Sequence, residues 1–248
     1  VILTYAHAGA EYLTSALSSS PSLACTVGTG VLPMCDLAAT TWRKIEGRGD
    51  VLSILAVKSI RGLVEAMASV LRSANGGSRW CETAFVSPAV AETFALIFPE
   101  TTFLCFHRSL KGVIAEGIAA YPWGLGGSPF WPYPGGHPGN NVATIADYWA
   151  ERTTMLLDFE ADHQQSCLRI RYEDLIAGPN YQLGEIFRLI GLESGDPVGA
   201  GHHPGSLDAT ERQDDNSGAP RIPTEQIPLR LMPTVNDLHA RLNLKNYL

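Results

Sequence analysis

The residues whose chemistry stands out are those that close apolar, strand-like runs. His7 follows the run at the start of the chain, and His107 and Arg108 close the run that begins at Thr102. An imidazole with an ordinary pKa of about 6.5 can act as a general base, and an arginine at the end of a buried strand can bind an anion. A hydrogen-bonded histidine and a structural ion pair are the alternatives. The pattern predicts acid–base chemistry or anion binding where these strands end.

A loop rich in aromatic side chains is the second candidate. Residues 122–141 contain five prolines and six glycines, a composition that excludes a regular helix or strand. A loop of this length in a compact domain is typically a lid or a binding loop. Within it, Trp123, Trp131 and Tyr133 either line a pocket for an aromatic or polycyclic substrate or anchor the loop. We therefore expect residues 122–141 to be a lid or substrate loop.

A metal centre has weaker support. His202 and His203, taken with His7, Glu11 and Glu116, carry suitable side chains. Their spacing matches no recognised ligand pattern. We therefore expect no metal.

The elements that position these residues follow from hydrophobic periodicity and turn signals. Strands that are apolar throughout and alternate with helices indicate a parallel sheet covered on both faces, with ligands at the carboxyl ends of the strands. Residues 202–228 have no regular pattern. Strands are expected at 1–6, 80–82, 102–107 and 167–171. A long helix or a helix pair is expected at 50–75, with Asp50 as N-cap. The other helices are expected between Gly9 and Pro21 and at 87–98, 109–121, 142–162, 181–190 and 233–242.

Length and composition restrict the class of protein. The chain has 248 residues, of which 45% are hydrophobic and 17% charged, and no apolar run of membrane-spanning length; this favours one globular domain over residues 1–248. With 18 Lys and Arg against 25 Asp and Glu, there is no basic surface for nucleic acid. Five cysteines without a CxxC pair indicate reduced thiols. We expect a cytoplasmic protein that acts on a small molecule, and the oligomeric state stays open.

Three stretches together resemble the sulfotransferase family that uses 3′-phosphoadenosine-5′-phosphosulfate (PAPS) as donor. Residues 168–192 contain LRIRYEDL, then GP and FRLIGL, and are similar to the family's strand, turn and helix. Residues 98–108 contain FP and FLCFHR and resemble the strand that leads to the arginine for the donor's 3′-phosphate. Residues 217–223 read SGAPRIP and resemble a C-terminal phosphate-binding loop. The resemblance implies a single α/β domain with a central parallel sheet flanked by helices, related to the P-loop NTPases.

The resemblance also implies roles for particular residues. Arg108 takes the position of the 3′-phosphate arginine, Tyr172 lies near the adenine, and Arg221 belongs to the C-terminal phosphate loop. Gly9 and Ala10 occupy the place of the 5′-phosphosulfate loop, where helix amides bind anions. The implied reaction is transfer of a sulfuryl group from PAPS to a hydroxyl of a small molecule, such as a natural-product intermediate.

Two positions depart from the family pattern. The first turn reads His7-Ala-Gly-Ala-Glu11, whereas the family's reads close to Arg-Ser-Gly-Thr-Thr, and Glu116 stands where the family has a serine. Glu82 occupies a strand end at which relatives often carry Glu followed by Lys, and it is either a proton shuttle or a capping carboxylate. Three interpretations stay open. One is sulfuryl transfer with Glu82 or His7 as the base. The second is an enzyme without PAPS that uses Glu11, Glu82 and Glu116 for acid–base chemistry, and the third is a non-catalytic binding protein.

Overall fold

The structure is a computed structural model and describes residues 1–47, 49, 51–131, 133–192 and 227–244. Its contacts divide the chain into two compact units. Unit 1 comprises Val1–Arg108 with Arg152–Gly195, and unit 2 comprises Ser109–Glu151 with Asp196–Leu248. The two units are described separately below. The single domain expected over residues 1–248 stays a prediction.

Unit 1 is built on a sheet of five parallel strands. Its order is β2-β3-β1-β4-β5, so the first strand of the chain lies in the middle. There, Ile2 pairs with Thr83 on one side and with Leu104 on the other. The strands are β1 Ile2–Leu3, β2 Leu23–Val27, β3 Arg79–Ala84, β4 Phe103–His107 and β5 Cys167–Arg171. The predicted parallel sheet is confirmed.

The burial of the strands explains their composition. Every residue of β4 is buried, because helices cover both faces of the sheet and a continuous apolar run has no solvent-facing side. Strand β1 is shorter than the six residues expected. The amide of Thr4 still donates to Ala84 O at 3.2 Å, so the pairing continues just past the end of the strand.

Nine helices are described, seven of which correspond to expected elements. They are α1 Ala10–Leu17, α2 Val31–Glu46, α3 Ile54–Asn75, α4 Pro88–Ile97, α5 Leu110–Ala120, α6 Asn141–Asp162, α7 Tyr172–Ala177, α8 Pro179–Leu189 and α9 Met232–Leu244. Strand β2 and helix α2 were not predicted. The turn expected after β5 is a short helix, α7. No helix in the described ranges is both long enough and apolar enough to cross a bilayer.

Capping side chains set where two helices begin. The Ser53 hydroxyl accepts from the amide of Ala56 at 3.1 Å and starts α3, so the expected cap at Asp50, which lies outside the described residues, is wrong. At α5, the Ser109 hydroxyl accepts from Gly112 N at 3.3 Å. Both are N-cap bonds of the kind that satisfy a free first-turn amide.

Unit 2 contains α5, the loop 122–141, the first part of α6 and α9. The loop is irregular apart from a short 3-10 helix, Tyr133–Gly136, as its prolines and glycines predict. Its role as a lid stays a prediction. Of the segment 202–228, only residues 227 and 228 are among the described residues.

Candidate active site

The turns that follow β1 and β4 are joined by one side chain. The hydroxyl of Tyr5 accepts from the backbone amide of Arg108 and donates to its carbonyl, both at 3.0 Å. Tyr5 is 3% exposed, so these bonds are shielded from water. They hold the two turns side by side at the carboxyl edge of the sheet.

The topology makes this edge a natural place for a ligand. From β1 the chain proceeds toward β2 at one side of the sheet, and from β4 toward β5 at the other. Open parallel sheets bind ligands where the direction of the strand order changes in this way. The sequence predicted a ligand site at the carboxyl ends of the strands. The strand order places that site where β1 and β4 end.

The turn after β1 has a strained backbone. It leads into helix α1, which has no capping side chain at its start. His7 has φ +63° and is the one non-glycine residue in the described ranges with a positive φ. Such a backbone costs about 1–2 kcal/mol, and strain of this kind is concentrated at functional sites. Gly9, with φ +82°, is the N-cap of α1 and provides no capping side chain. The first turn of α1, which begins at Ala10, is an environment that favours an anion.

Arg108 extends from β4 across this turn. Its Nη1 donates to the carbonyl oxygen of His7 at 3.0 Å. Its guanidinium carbon lies 4.2 Å from the centroid of the Tyr172 ring, a cation–π contact. A partly buried cation is thus fixed beside the start of α1.

Tyr172 explains why residue 9 is glycine. A Cβ at Gly9 would lie 2.6 Å from the Tyr172 ring, well inside van der Waals contact. The ring therefore packs directly on the Gly9 backbone and beneath Arg108. Three residues predicted to bind the donor, Gly9, Arg108 and Tyr172, come together here, and the stacked tyrosine and arginine occupy the space between the two turns.

A buried ion-pair network lies behind Arg108. His107, fully buried, is hydrogen-bonded through Nε2 to Glu160 Oε1 at 2.5 Å. The other carboxylate oxygen of Glu160 accepts from Arg169 Nε at 2.6 Å and also from its Nη2. The network connects β4, α6 and β5. Of the two alternatives for His107, the structure therefore supports the hydrogen-bonded histidine.

The protonation states of this network follow from its burial. Burial lowers the pKa of His107, and the hydrogen bond and charge of Glu160 oppose this only in part. Burial by itself raises the pKa of Glu160, but the partners His107 and Arg169 outweigh it and the net pKa is lowered. A neutral imidazole and an ionised carboxylate follow, so Arg169 is the charge partner of Glu160.

Glu82 is enclosed by the turn after β2. One carboxylate oxygen accepts from the amide and hydroxyl of Thr29 at 2.7 and 2.9 Å, and the other accepts from the hydroxyl of Thr26. Glu82 is 2% exposed. This arrangement supports the structural alternative, in which the carboxylate holds the β2–α2 turn.

The other predicted site residues lie in varied surroundings. Glu11 is exposed in the first turn of α1. Glu116 lies half-buried on α5 of unit 2. In the loop of that unit, Trp123 and Trp131 are 99% and 63% exposed, whereas the Tyr133 ring makes an edge contact with Tyr148 at 5.7 Å. The three aromatic residues thus do not form a shared buried pocket wall within unit 2.

The two remaining sequence predictions concern Arg221 and the metal centre. Arg221, like His202 and His203, lies outside the described residues. Over the part of the chain that is described, no three His, Cys, Asp or Glu side chains are grouped so that they could hold a metal ion.

The cavity at this edge is small. It has a volume of about 20 Å³ and lies beside Tyr5, with Val86, Pro88, Met155 and Phe159 among its lining. This is enough for a water molecule but not for a nucleotide. A nucleotide therefore does not fit into this cavity.

Three residues of the site were not identified from the sequence. Tyr5 belongs to the first apolar run and reads as a core residue. Glu160 and Arg169 are nine residues apart, but Glu160 lies 53 residues after its other partner, His107. The available signal was a glutamate in an expected helix and an arginine in an expected strand, each with apolar residues immediately before and after it in the chain. Buried charges of opposite sign favour pairing, but the sequence does not specify the partners.

Known structures with this architecture have been solved. A sulfotransferase domain from the curacin biosynthetic pathway is 16% identical, with a TM-score of 0.63, and the match covers 98% of this chain and 96% of that one. A sulfotransferase domain from the Synechococcus PCC 7002 olefin synthase is 14% identical, with a TM-score of 0.58 and coverage of 96% and 92%. A sulfotransferase from Alicyclobacillus acidocaldarius is 12% identical, with a TM-score of 0.51 and coverage of 98% and 94%.

These likenesses concern the fold. No protein-family model and no curated protein matches the chain. The predicted sulfotransferase-like α/β fold is confirmed by the three structures, which extend over nearly all of the chain. At identities of 12–16% the likeness carries no information on donor or acceptor.

Proposed function

We propose that this protein is a sulfotransferase that transfers a sulfuryl group from PAPS to a hydroxyl of a small molecule. One observation carries the proposal. Within a sulfotransferase-like fold, Gly9, Arg108 and Tyr172 meet at the carboxyl ends of β1 and β4. A cation, a helix start without a capping side chain and an aromatic ring are the groups that a phosphorylated nucleotide needs.

The residues fit the donor in most respects. Arg108 and the first-turn amides of α1 would hold anionic groups, and the Tyr172 ring, which packs on Gly9 and beneath Arg108, would keep that cation in place. Glu11 opposes this, because a carboxylate about 4 Å from a phosphate costs on the order of 1 kcal/mol in water and about 4 kcal/mol at a partly shielded site. Since Glu11 is exposed, the cost is nearer the lower value. The donor would supply the sulfuryl group, with adenosine 3′,5′-bisphosphate as the leaving group.

His7 is the preferred candidate for the base that accepts the acceptor's proton. It is half-buried in the strained turn beside Arg108, and imidazole is the commonest general base among side chains. Glu82 is less suited, because Thr26 and Thr29 engage both of its oxygens and almost none of its surface is exposed. A base must reach the proton that it removes, and His7 has the greater access.

The donor site is tested with adenosine 3′,5′-bisphosphate in isothermal titration calorimetry. Replacing Arg108→Gln removes a charge-assisted bond to phosphate, so we expect binding to weaken about 10- to 100-fold. Arg188→Gln is the matched control, because Arg188 is 77% exposed and pairs with Glu185 on α8. It should leave the affinity unchanged. Absence of binding to the unchanged protein at millimolar bisphosphate would overturn the proposal.

An enzyme that no longer uses PAPS is the second candidate, favoured by the exposed carboxylate of Glu11 in the turn. The variant Glu11→Gln distinguishes the two. If PAPS is the donor, bisphosphate binding stays the same or becomes tighter, because a negative charge is removed. If Glu11 does acid–base work on another substrate, the variant loses turnover and the protein binds no bisphosphate.

A further inference from the structure

The amino edge of the sheet in unit 1 contains a cleft that the proposed function does not use. Its volume is about 360 Å³, within the range of roughly 300–1,000 Å³ typical of small-molecule sites. Helices α3 and α4 border it together with the amino ends of the strands, and its lining includes Leu23, Arg79 and Thr102. The proposed donor site is at the opposite, carboxyl edge.

The floor of the cleft is apolar and aromatic. Phe94 and Phe98 stack with their ring centroids 4.8 Å apart and an interplanar angle of 24°. Val64 and Leu104 complete a buried surface. In the wall, the indole Nε1 of Trp80 donates to the Thr26 hydroxyl at 2.8 Å, which fixes the ring. A flat apolar ligand can replace water on such a surface with a gain in free energy.

The rim of the cleft carries charged side chains of both signs. Two acids on it, Glu65 and Glu100, are both paired with Arg61. Arg72 also lines the cleft and is half-buried, and no hydrogen bond or ion pair joins its guanidinium to any described residue. Arg79 donates to a carbonyl, that of Ile190, which leaves its charge uncompensated. The cleft is therefore lined by two arginines that pair with no carboxylate of the described residues.

We propose that this cleft binds a small aromatic carboxylic acid. The ring lies on Phe94 and Phe98, and the carboxylate binds the guanidinium groups of Arg72 and Arg79. A guanidinium matches a carboxylate with two parallel hydrogen bonds, which an amide of the same shape cannot reproduce. The cleft is a second ligand site, separate from the donor site and independent of the proposed function.

Calorimetry with naphthalene-2-carboxylate and its neutral analogue naphthalene-2-carboxamide tests the site. We expect the chain to bind the acid about tenfold more tightly than the amide. Arg72→Gln should remove most of this preference while leaving amide binding unchanged, because only the charged contact is lost. Arg188→Gln, which removes an exposed charge from α8, is the control and should keep the preference.

A second variant tests whether the ligand binds in this cleft, and it changes no charged residue. Ala68 lines the cleft on α3, so Ala68→Leu should weaken acid and amide alike by occupying the floor. If this variant does not fold, Arg72→Gln decides alone. The proposal is overturned if neither compound binds at millimolar concentration, or if the acid and amide bind equally well. It is overturned also if saturation with adenosine 3′,5′-bisphosphate displaces the acid, which would assign the acid to the carboxyl edge.

Discussion

The two edges of the sheet in unit 1 are built in opposite ways. At the carboxyl edge, Tyr5 joins two turns through buried hydrogen bonds, His7 adopts a strained backbone, and the cavity measures about 20 Å³. At the amino edge, a cleft of about 360 Å³ is open and its charged residues lie on the rim. The first edge is preorganised and tightly packed, whereas the second has room for a ligand without rearrangement.

Two Arg–Glu pairs, one near each edge of the sheet, differ strongly in how far their side chains are exposed. In the Arg169–Glu160 pair behind the carboxyl edge, the side chains are 8% and 5% exposed. In the Arg61–Glu100 pair at the amino edge, they are 32% and 59% exposed. Water screens the second pair but not the first. The same chemistry should therefore matter for folding at one edge and hardly at the other.

The largest effect is expected from Glu160→Gln. This change removes the carboxylate that pairs with Arg169 in the protein interior and weakens the bond to His107, so the free energy of unfolding should fall by about 3–5 kcal/mol. Urea denaturation followed by circular dichroism measures the loss.

The matched variant at the amino edge is Glu100→Gln. Because its pair with Arg61 is largely exposed, it should cost less than about 1 kcal/mol. Equal losses in the two variants would contradict the view that burial distinguishes the edges.

A smaller effect is expected from Gly9→Ala. The new methyl group would contact the Tyr172 ring at 2.6 Å, and alanine is disfavoured at φ +82°. Moving the ring would also disturb Arg108. We expect a loss of about 2–3 kcal/mol in the free energy of unfolding, measured by urea denaturation.

Gly30→Ala is the control for the backbone contribution. Gly30 has φ +81° but nothing within 4 Å of an added Cβ. Its cost should be limited to about 1 kcal/mol. If both alanine variants lose the same stability, the packing of Tyr172 on Gly9 contributes nothing.

The smallest effect concerns pH. Burial lowers the pKa of His107 below its ordinary 6.5, so the unfolded chain takes up this proton first as the pH falls. The contribution of His107 to the free energy of unfolding is therefore complete above about pH 6.5. It is lost as the pH falls from there toward the lowered pKa of His107. For one proton the loss is less than about 1.4 kcal/mol per pH unit. Urea denaturation at pH 7.5 and pH 5.5 measures it.

His107→Gln separates this contribution from that of other titrating groups. Its amide can still donate to Glu160 but does not titrate. Lowering the pH should therefore destabilise the unchanged protein more than the variant. Parallel losses in the two proteins would show that His107 does not sense pH.

Much of the fold could be predicted from the sequence. Strand β5 has the predicted bounds, and β4, α4, α5 and α6 differ from theirs by one or two residues, because apolar runs and Ser-Pro or Ser caps are local signals. The local signals were weaker in residues 22–49, so β2 and α2 were missed. Asp50 was expected as the cap of the helix that Ser53 begins, because Asp and Ser are both good capping residues and propensity alone does not locate the start of a helix.

The candidate site was predicted in part. Gly9, Arg108 and Tyr172 were identified through a family resemblance, and the structure brings them together. Glu82 was considered for catalysis because relatives often carry Glu followed by Lys at this strand end. Its hydrogen bonds to Thr26 and Thr29 depend on another part of the chain.

The sequence by itself determined the type of elements, their alternation and hence a parallel α/β sheet, because periodicity and turn chemistry act between near neighbours. Only the tertiary structure decided which side chains meet across strands, such as Tyr5 with Arg108 and His107 with Glu160. It also decided that the larger cleft lies at the amino edge. Contacts of this kind depend on the order of strands in the sheet, which no local pattern encodes.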